Sequence, residues 1–200
     1  MPEPGMHWRH VIINTHSSWL HGDPKGFRSR GHRIHSSGDY KNPPPPGEHE
    51  GLLRYQIARS SPCVELPPGL RGEIGIQIVE FFQGQKHQIL SASVSDLHSH
   101  FVVELPTELA SVKAIVGSVK EDTSRFINKH MKGFRWAAGG TYKLVKTRQH
   151  LKEAIEYVAI RQEPTAWSWC FRCGEPRGAN RCNHDSKHLE MRDSESGSSL

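Results

Sequence analysis

Apolar side chains are scarce in this protein: they make up 35% of its 200 residues, fewer than a globular chain of this size normally carries. That deficit excludes a chain packed from end to end and predicts that part of it lies outside any core. No apolar run approaches the roughly 20 residues needed to cross a bilayer, which excludes a membrane-spanning helix, and no membrane partner is expected. The opening "MPEPGMHWRH" lacks the apolar centre of a signal peptide, so the expected location is the cytoplasm. Cysteine is limited to Cys63, Cys170, Cys173 and Cys182, with three crowded near the C-terminus. Such crowding suits metal binding in a reducing compartment better than a disulfide framework. Tyrosine is absent between Tyr55 and Tyr142, a gap that matters below. From His21 to about Glu50 aliphatic residues almost vanish.

What is present leans basic and rich in histidine. Lysine and arginine number 26 against 21 acids, for a net charge of +5 and a pI near 9.1; this moderate bias is consistent with nucleic acid as a partner. The 14 histidines matter because a neutral imidazole is the commonest protein metal ligand.

Periodicity divides the chain. "HWRHVIINTHSSWL" (7–20) reads as a first strand. The aliphatic-poor insert (21–55) contains "KNPPPPGEHEG", which can form neither a helix nor a central strand. So long an insert is either disordered or functional, and Lys25, Arg28, Arg30, Arg33 and Lys41 would suit an arm lying on a phosphate backbone. "LPPGLRGEIGIQIVEFFQGQ" (66–85) predicts a helix with Leu70, Ile74, Ile78, Phe81 and Phe82 at spacings of three and four. "HQILSASVS" (87–95) and "HSHFVVEL" (98–105) predict two strands joined by a tight turn. Residues 107–130 predict a second helix with Thr107 as N-cap and Leu109, Val112, Val116, Val119, Thr123 and Phe126 on one face. "FRWAAGGTYKLVK" (134–146) predicts a strand pair or one strand broken at Gly139-Gly140, and 147–162 a last helix with Leu151, Ile155, Val158 and Ala159 inward. Without the insert and the last helix, the order is the split β-α-β-β-α-β of ferredoxin-like α+β folds. Helices on one face would leave the other face of an antiparallel sheet open.

"DLHSHFVVE" (96–104) holds the sharpest motif. In a strand, His98 and His100 project to one face roughly 6.6 Å apart along the backbone, close enough to share one divalent cation if a third ligand comes from elsewhere. The alternative is a pair of solvated histidines at a strand edge. Phe101 and Val103 fall on the opposite face.

This motif, with the opening strand through "SSWLHGDPKGF", the helix "VKAIVGSVKEDTSRFIN" and "FRWAAGGTYKLVK…HLKEAIEYV", resembles the His-hydrophobic-His (HUH) endonucleases. The likeness is to the small tyrosine transposases of the insertion sequence 200-like and REP-associated kinds, over about Trp8 to Gln162. It implies a ferredoxin-like fold and a divalent metal (Mg or Mn) on His98 and His100. It also implies a tyrosine on the following helix that attacks single-stranded DNA to form a phosphotyrosine link, hairpin DNA as partner, and a homodimer. Backbone contacts would come from Arg9, Lys113, Lys120, Arg125 and Lys129. The chain departs from that pattern in three places. Ser99 replaces the apolar residue between the histidines and would face the core, where its hydroxyl needs a hydrogen bond. Asp122 stands where the helix tyrosine is expected, with Tyr142 and Tyr157 as substitutes that read first as packing residues. Phe126 replaces a polar residue one turn on. The resemblance therefore implies a DNA-binding protein of transposase lineage with impaired strand transfer.

"WSWCFRCGEPRGANRCNHD" suggests a zinc knuckle from Cys170, Cys173, Cys182 and His184, with arginines between the ligands. The expected organisation is a transposase-like domain at 1–165, a knuckle at 166–184 and a disordered tail at 185–200. On the alternative reading, the chain is a non-enzymatic zinc-dependent module that binds nucleic acid or protein.

Overall fold

The computed structural model describes residues 2–24, 27, 34–39 and 41–172. Five strands, β1 (Met6–Asn14), β2 (Ile89–Val94), β3 (His98–Pro106), β4 (Thr141–Leu144) and β5 (Trp167–Cys170), accompany helices α1 (Glu50–Arg59), α2 (Pro68–Gly84), α3 (Leu109–His130) and α4 (Arg148–Ile160). The strands form one antiparallel sheet in the order β4-β1-β3-β2-β5. Its first four strands have the ferredoxin-like order, and β5 extends the sheet at the β2 edge.

Alternation along the strands decides what each face carries. On β3, Phe101, Val103 and Leu105 point to one side, where they meet Val11 and Ile13 of β1 and Ala92 and Val94 of β2. The apolar stripes of α2 (Ile74, Ile78, Phe82) and α3 (Val112, Val116, Val119, Ile127) close over them and complete the main core. Both helices lie on this face because the β1-α2-β2 and β3-α3-β4 crossovers take the same hand. α2 starts at Pro68, where a missing N–H costs nothing. α3 starts at Leu109 with Glu108 rather than Thr107 in the cap position, and Ser111 Oγ donates to Glu108 at 2.7 Å. Thr107 instead turns the chain: its N–H donates to the Gly5 carbonyl.

The other face is not left open. Thr147 caps α4 by accepting from the His150 N–H at 3.0 Å, and α4 packs against β2, β3 and β5. Its Ala154 and Val158 meet Trp8 and Val102 in a second, smaller core, flanked by Leu90, Val145, Leu151 and Ile155. The expectation of helices on one face only fails here, because a helix after the last crossover is free to fold back on the opposite side.

Two further elements lie where irregular sequence was expected. α1 begins inside the 21–55 insert and buries no side chain, so it stands outside both cores. Phe27 is buried, its ring between those of His21 and His49. β5 lies beyond residue 165, inside the segment read as a knuckle, and sends Trp167 into the main core. Residues 134–136 do not pair as a strand; a single bridge joins Trp136 to Thr15, and Trp136 Nε1 donates to Thr123 Oγ1 at 2.9 Å.

Candidate functional site

The register that sends Phe101 and Val103 into the main core sends His98 and His100 to the α4 face. On β1, His10 and Ile12 share that face, with Ile12 opposite His100 and His10 opposite Val102. Ser93 of β2 is paired with His100 from the other side. Lys143 of β4 is paired with His10. The histidines thus sit where the C-terminal end of β1 meets the N-terminal end of β3.

Three imidazoles meet there. His10 Nε2 and His100 Nδ1 are 3.0 Å apart. The His98 and His100 ring centroids are 4.7 Å apart with planes at 80°. Ser95 Oγ lies 3.1 Å from both His98 Nδ1 and the His98 carbonyl oxygen. Burial holds all three rings below the ordinary histidine range. His100 is pushed down to about 2 by burial, with the neighbouring His98, His10 and Lys143 adding to the effect. His10 falls to about 4 by burial, reinforced by Lys143 and His150. His98 is lowered by burial against the opposing pull of Glu163, Asp96 and a hydrogen bond with the Gln162 side chain. Neutral imidazoles are the form that ligates metals.

Tyr157 completes the cluster. α4 carries its ring to centroid distances of 5.6 Å from His100 and 5.8 Å from His10, edge-on to both. It remains 43% exposed, so one side of the ring packs and the other meets solvent. Helical spacing explains the placement: Ala154 and Val158 anchor α4 on the sheet, and Tyr157 lies on the flank between that stripe and water.

Most of the other residues expected in the site lie elsewhere. Asp122 and Phe126 are on α3, across the sheet from the histidines, so Asp122 does not occupy the tyrosine's place. Tyr142 is paired with Val11 and packs against the main core, where burial raises its phenol above the ordinary range. The expected DNA contacts Lys113, Lys120, Arg125 and Lys129 are also on α3. Lys120 Nζ donates to the Ala137 carbonyl at 2.8 Å and to that of Gly139, and burial lowers its pKa. Arg125 pairs with Glu121 at 3.6 Å. Arg9 is buried and donates to the Thr107 carbonyl at 2.9 Å. Ser99 is fully buried on the main-core face, as expected, but its hydroxyl is among the buried polar groups of the described residues that lack a hydrogen-bond partner.

Cys170 is a buried β5 residue paired with Ser91. Cys173, Cys182 and His184, the 185–200 tail, and the insert's Lys25, Arg28, Arg30 and Arg33 lie outside the described residues.

The sequence matches no family model and no curated protein. Among solved structures, a REP-associated tyrosine transposase bound to a REP hairpin is similar at 12% identity and a TM-score of 0.40, over 80% of this chain and 68% of that one. A likeness that faint carries no functional weight, which leaves the side chains themselves.

As donors for a divalent cation, those side chains fit as a half-site. Among the described residues no three His, Cys, Asp or Glu groups stand together as a preformed ligand set. His98 and His100 nonetheless offer two neutral imidazoles on one face, with Nδ1 of each within hydrogen-bond distance of Ser95 Oγ and His10 Nε2 respectively. His10, Ser95 and Gln162 were missed in the sequence. Alternation does put His10 on the side away from Val11 and Ile13, but only the β1–β3 register sets it beside His100.

Proposed function

We propose that this protein cleaves and rejoins single-stranded or hairpin DNA, using Tyr157 as the nucleophile and His98 and His100 to hold a divalent cation, Mg or Mn. The observation that carries this reading is the half-exposed Tyr157 ring lying edge-on against His100 and His10. A structural tyrosine on α4 would bury its ring with Ala154 and Val158; this one keeps a face in water beside three neutral imidazoles.

When bound, the cation supplies Lewis acidity and orientation to a scissile phosphate. Tyr157 contributes the attacking oxygen: its bond to phosphorus forms as the bond from phosphorus to one bridging ester oxygen breaks. The phenolic proton is balanced by the proton taken up by the departing strand end, which leaves as a hydroxyl. The tyrosyl phosphodiester conserves the broken bond's chemistry, so the reverse attack rejoins DNA. A phenol near pKa 10 is a weak nucleophile unaided, which is why the neighbouring half-site matters. α4 fixes the ring on a rigid element. Lys143, paired across from His10, puts a cation beside the cluster where a phosphate backbone would enter.

The test is incubation of end-labelled hairpin DNA with the protein and Mn2+, followed by denaturing electrophoresis. A covalent adduct is expected in wild type, Tyr142→Phe and Asp122→Ala and is absent in Tyr157→Phe. His98→Ala and His100→Ala should each lower its yield sharply, in line with loss of a metal ligand. Hairpin binding without any adduct, or an adduct that survives Tyr157→Phe, overturns the catalytic reading.

A further inference from the structure

Among the described residues, three large apolar side chains are more than half exposed, and all belong to one part of the fold: Trp19 at 51%, Tyr55 at 55% and Ile57 at 56%. Trp19 lies on the chain leaving β1, whereas Tyr55 and Ile57 lie on α1, which buries no side chain. Loop and helix are built against each other. A Cβ on Gly22, whose φ is +93°, would sit 2.6 Å from the Leu53 nitrogen and 3.0 Å from the His49 carbonyl oxygen, so the loop runs directly against the α1 backbone. The tethers of this unit lead to the end of the sheet that carries the histidines. The Thr15 N–H donates to the Leu97 carbonyl at 2.8 Å, one residue before His98, and the Leu66 N–H, on the chain leaving α1, donates to the Asp96 carbonyl at 2.7 Å. The His16 N–H donates to the Arg135 carbonyl at 2.9 Å, and Arg135 Nη2 donates to Ser61 Oγ at 3.1 Å, which joins the β1 exit to the α1 exit. Trp19 follows Thr15 by four residues, at most about 14 Å of chain.

Resting on the reading that the protein acts on single-stranded or hairpin DNA, we infer that Trp19 and Tyr55 are stacking platforms for unpaired bases, with Arg59 and Arg135 as phosphate contacts, so that α1 and the β1 exit form the surface by which single-stranded DNA approaches the histidine end of the sheet. Exposed aromatic rings accept any base on their π-faces while guanidinium groups hold the backbone, the combination used for sequence-tolerant binding of single strands. The charge on this unit is available for that role. The Arg59 guanidinium lies 5.4 Å over the Tyr55 ring, and among the described residues neither Arg59 nor Arg135 enters an ion pair. Arg54 is left out, because Glu50 lies 3.9 Å from it. A protein helix is the poorer occupant. Tyr55 and Ile57 are two residues apart and do not share a helix face, so α1 offers no continuous apolar stripe to such a partner.

The experiment titrates metal-free, full-length protein against a fluorescein-labelled oligothymidylate of about 15 nucleotides, read by anisotropy, with a duplex of equal length for comparison. Trp19→Ala and Tyr55→Ala should each weaken oligothymidylate binding about 5–150-fold, the loss of one stacked base, and change duplex binding little. Trp19→Phe, which keeps a ring, should retain most of the affinity. Arg59→Gln and Arg135→Gln should each reduce the slope of log affinity against log salt by about 0.7, the loss of one phosphate contact on a single strand. Trp19 emission, taken as the difference between wild type and Trp19→Phe, should be quenched by the oligomer. All four side chains are exposed, so the variants should melt as wild type does. Unchanged affinity in both alanine variants overturns the inference, as does unquenched Trp19 emission or a wild type that binds no oligothymidylate. A changed oligomeric state in sedimentation, with DNA affinity intact, assigns the surface to a second copy of the chain and also overturns it. The covalent adduct with hairpin DNA is read separately. An adduct formed while the platform residues prove silent leaves the Tyr157 reading standing, and stacking without an adduct removes that reading alone.

Discussion

At the scale of single residues, the histidine cluster makes folding sensitive to acid. His10 and His100 are held neutral by burial, with folded-state pKa values of about 4 and about 2, whereas in the unfolded chain both titrate near the ordinary 6.5. The unfolded state therefore takes up protons first as pH falls. The stability present above pH 6.5 is drained below it, and the loss continues until the folded-state values are reached. From pH 7 to pH 5 the expected cost is up to about 2 kcal/mol per imidazole. Urea denaturation of metal-free protein at the two pH values measures it. His10→Gln, which does not titrate, should lose about half as much as wild type, and an equal loss in both would contradict the account. Ser99 shows what residue-level reading reaches: alternation alone placed it on the core face, and there it is, fully buried with its hydroxyl unpaired.

At the scale of elements, α2 is shaped by its contact with β5. Gly75 is buried in mid-helix, and a Cβ there would lie 2.0 Å from Trp167 Cζ3 and 2.1 Å from Cε3. A rigid indole between helix and sheet cannot yield by that much. Gly75→Ala is therefore expected to destabilise by about 1–3 kcal/mol despite alanine's better helix propensity. Thermal melting would show this as a drop of several degrees, partly recovered in Gly75→Ala/Trp167→Leu because the two positions share one contact. A Gly75→Ala protein as stable as wild type would remove indole contact as the reason for this glycine. The periodic segments, α2, β2, β3, α3 and α4, were legible because their apolar spacing was regular. α1 was not, since it follows a run of prolines and buries nothing. β5 was hidden because "WSWC" also reads as the approach to a metal-binding turn.

At the scale of the whole molecule, the chain is tied together by the segment from Glu163 to Trp167. Trp167 enters the main core, and the buried Arg71 donates to the carbonyls of Leu66 at 2.9 Å and Thr165 at 3.0 Å, with Glu163 3.5 Å away. Asp96, at the turn before His98, donates its N–H to Glu163 at 3.1 Å. The end of the sheet that carries the histidines is thus braced by the α4–β5 connection. A chain ended at residue 165 is expected to lose cooperative unfolding and the Tyr157-dependent adduct, whereas a chain ended at residue 172 keeps both. Calorimetry and the hairpin assay on the two truncations check this, and a cooperative transition in the shorter chain would refute it.

The sequence by itself determined the strand alternation, the helical stripes, the β-α-β-β-α-β order and the separation of His98 and His100 from Phe101 and Val103. These are local consequences of backbone period and side-chain polarity, and they need no partner to be read. Only the tertiary structure decided which side of the sheet each helix covers. Sequence proximity pointed to the helix after the histidines and to Asp122. The shared hand of the two crossovers puts α3 on the far face, and α4, folding back over the near one, brings Tyr157 to the histidines from more than fifty residues away in the chain. His10 joined them by the same route. A β-pairing register is a contact between distant segments, and no pattern within either segment records it.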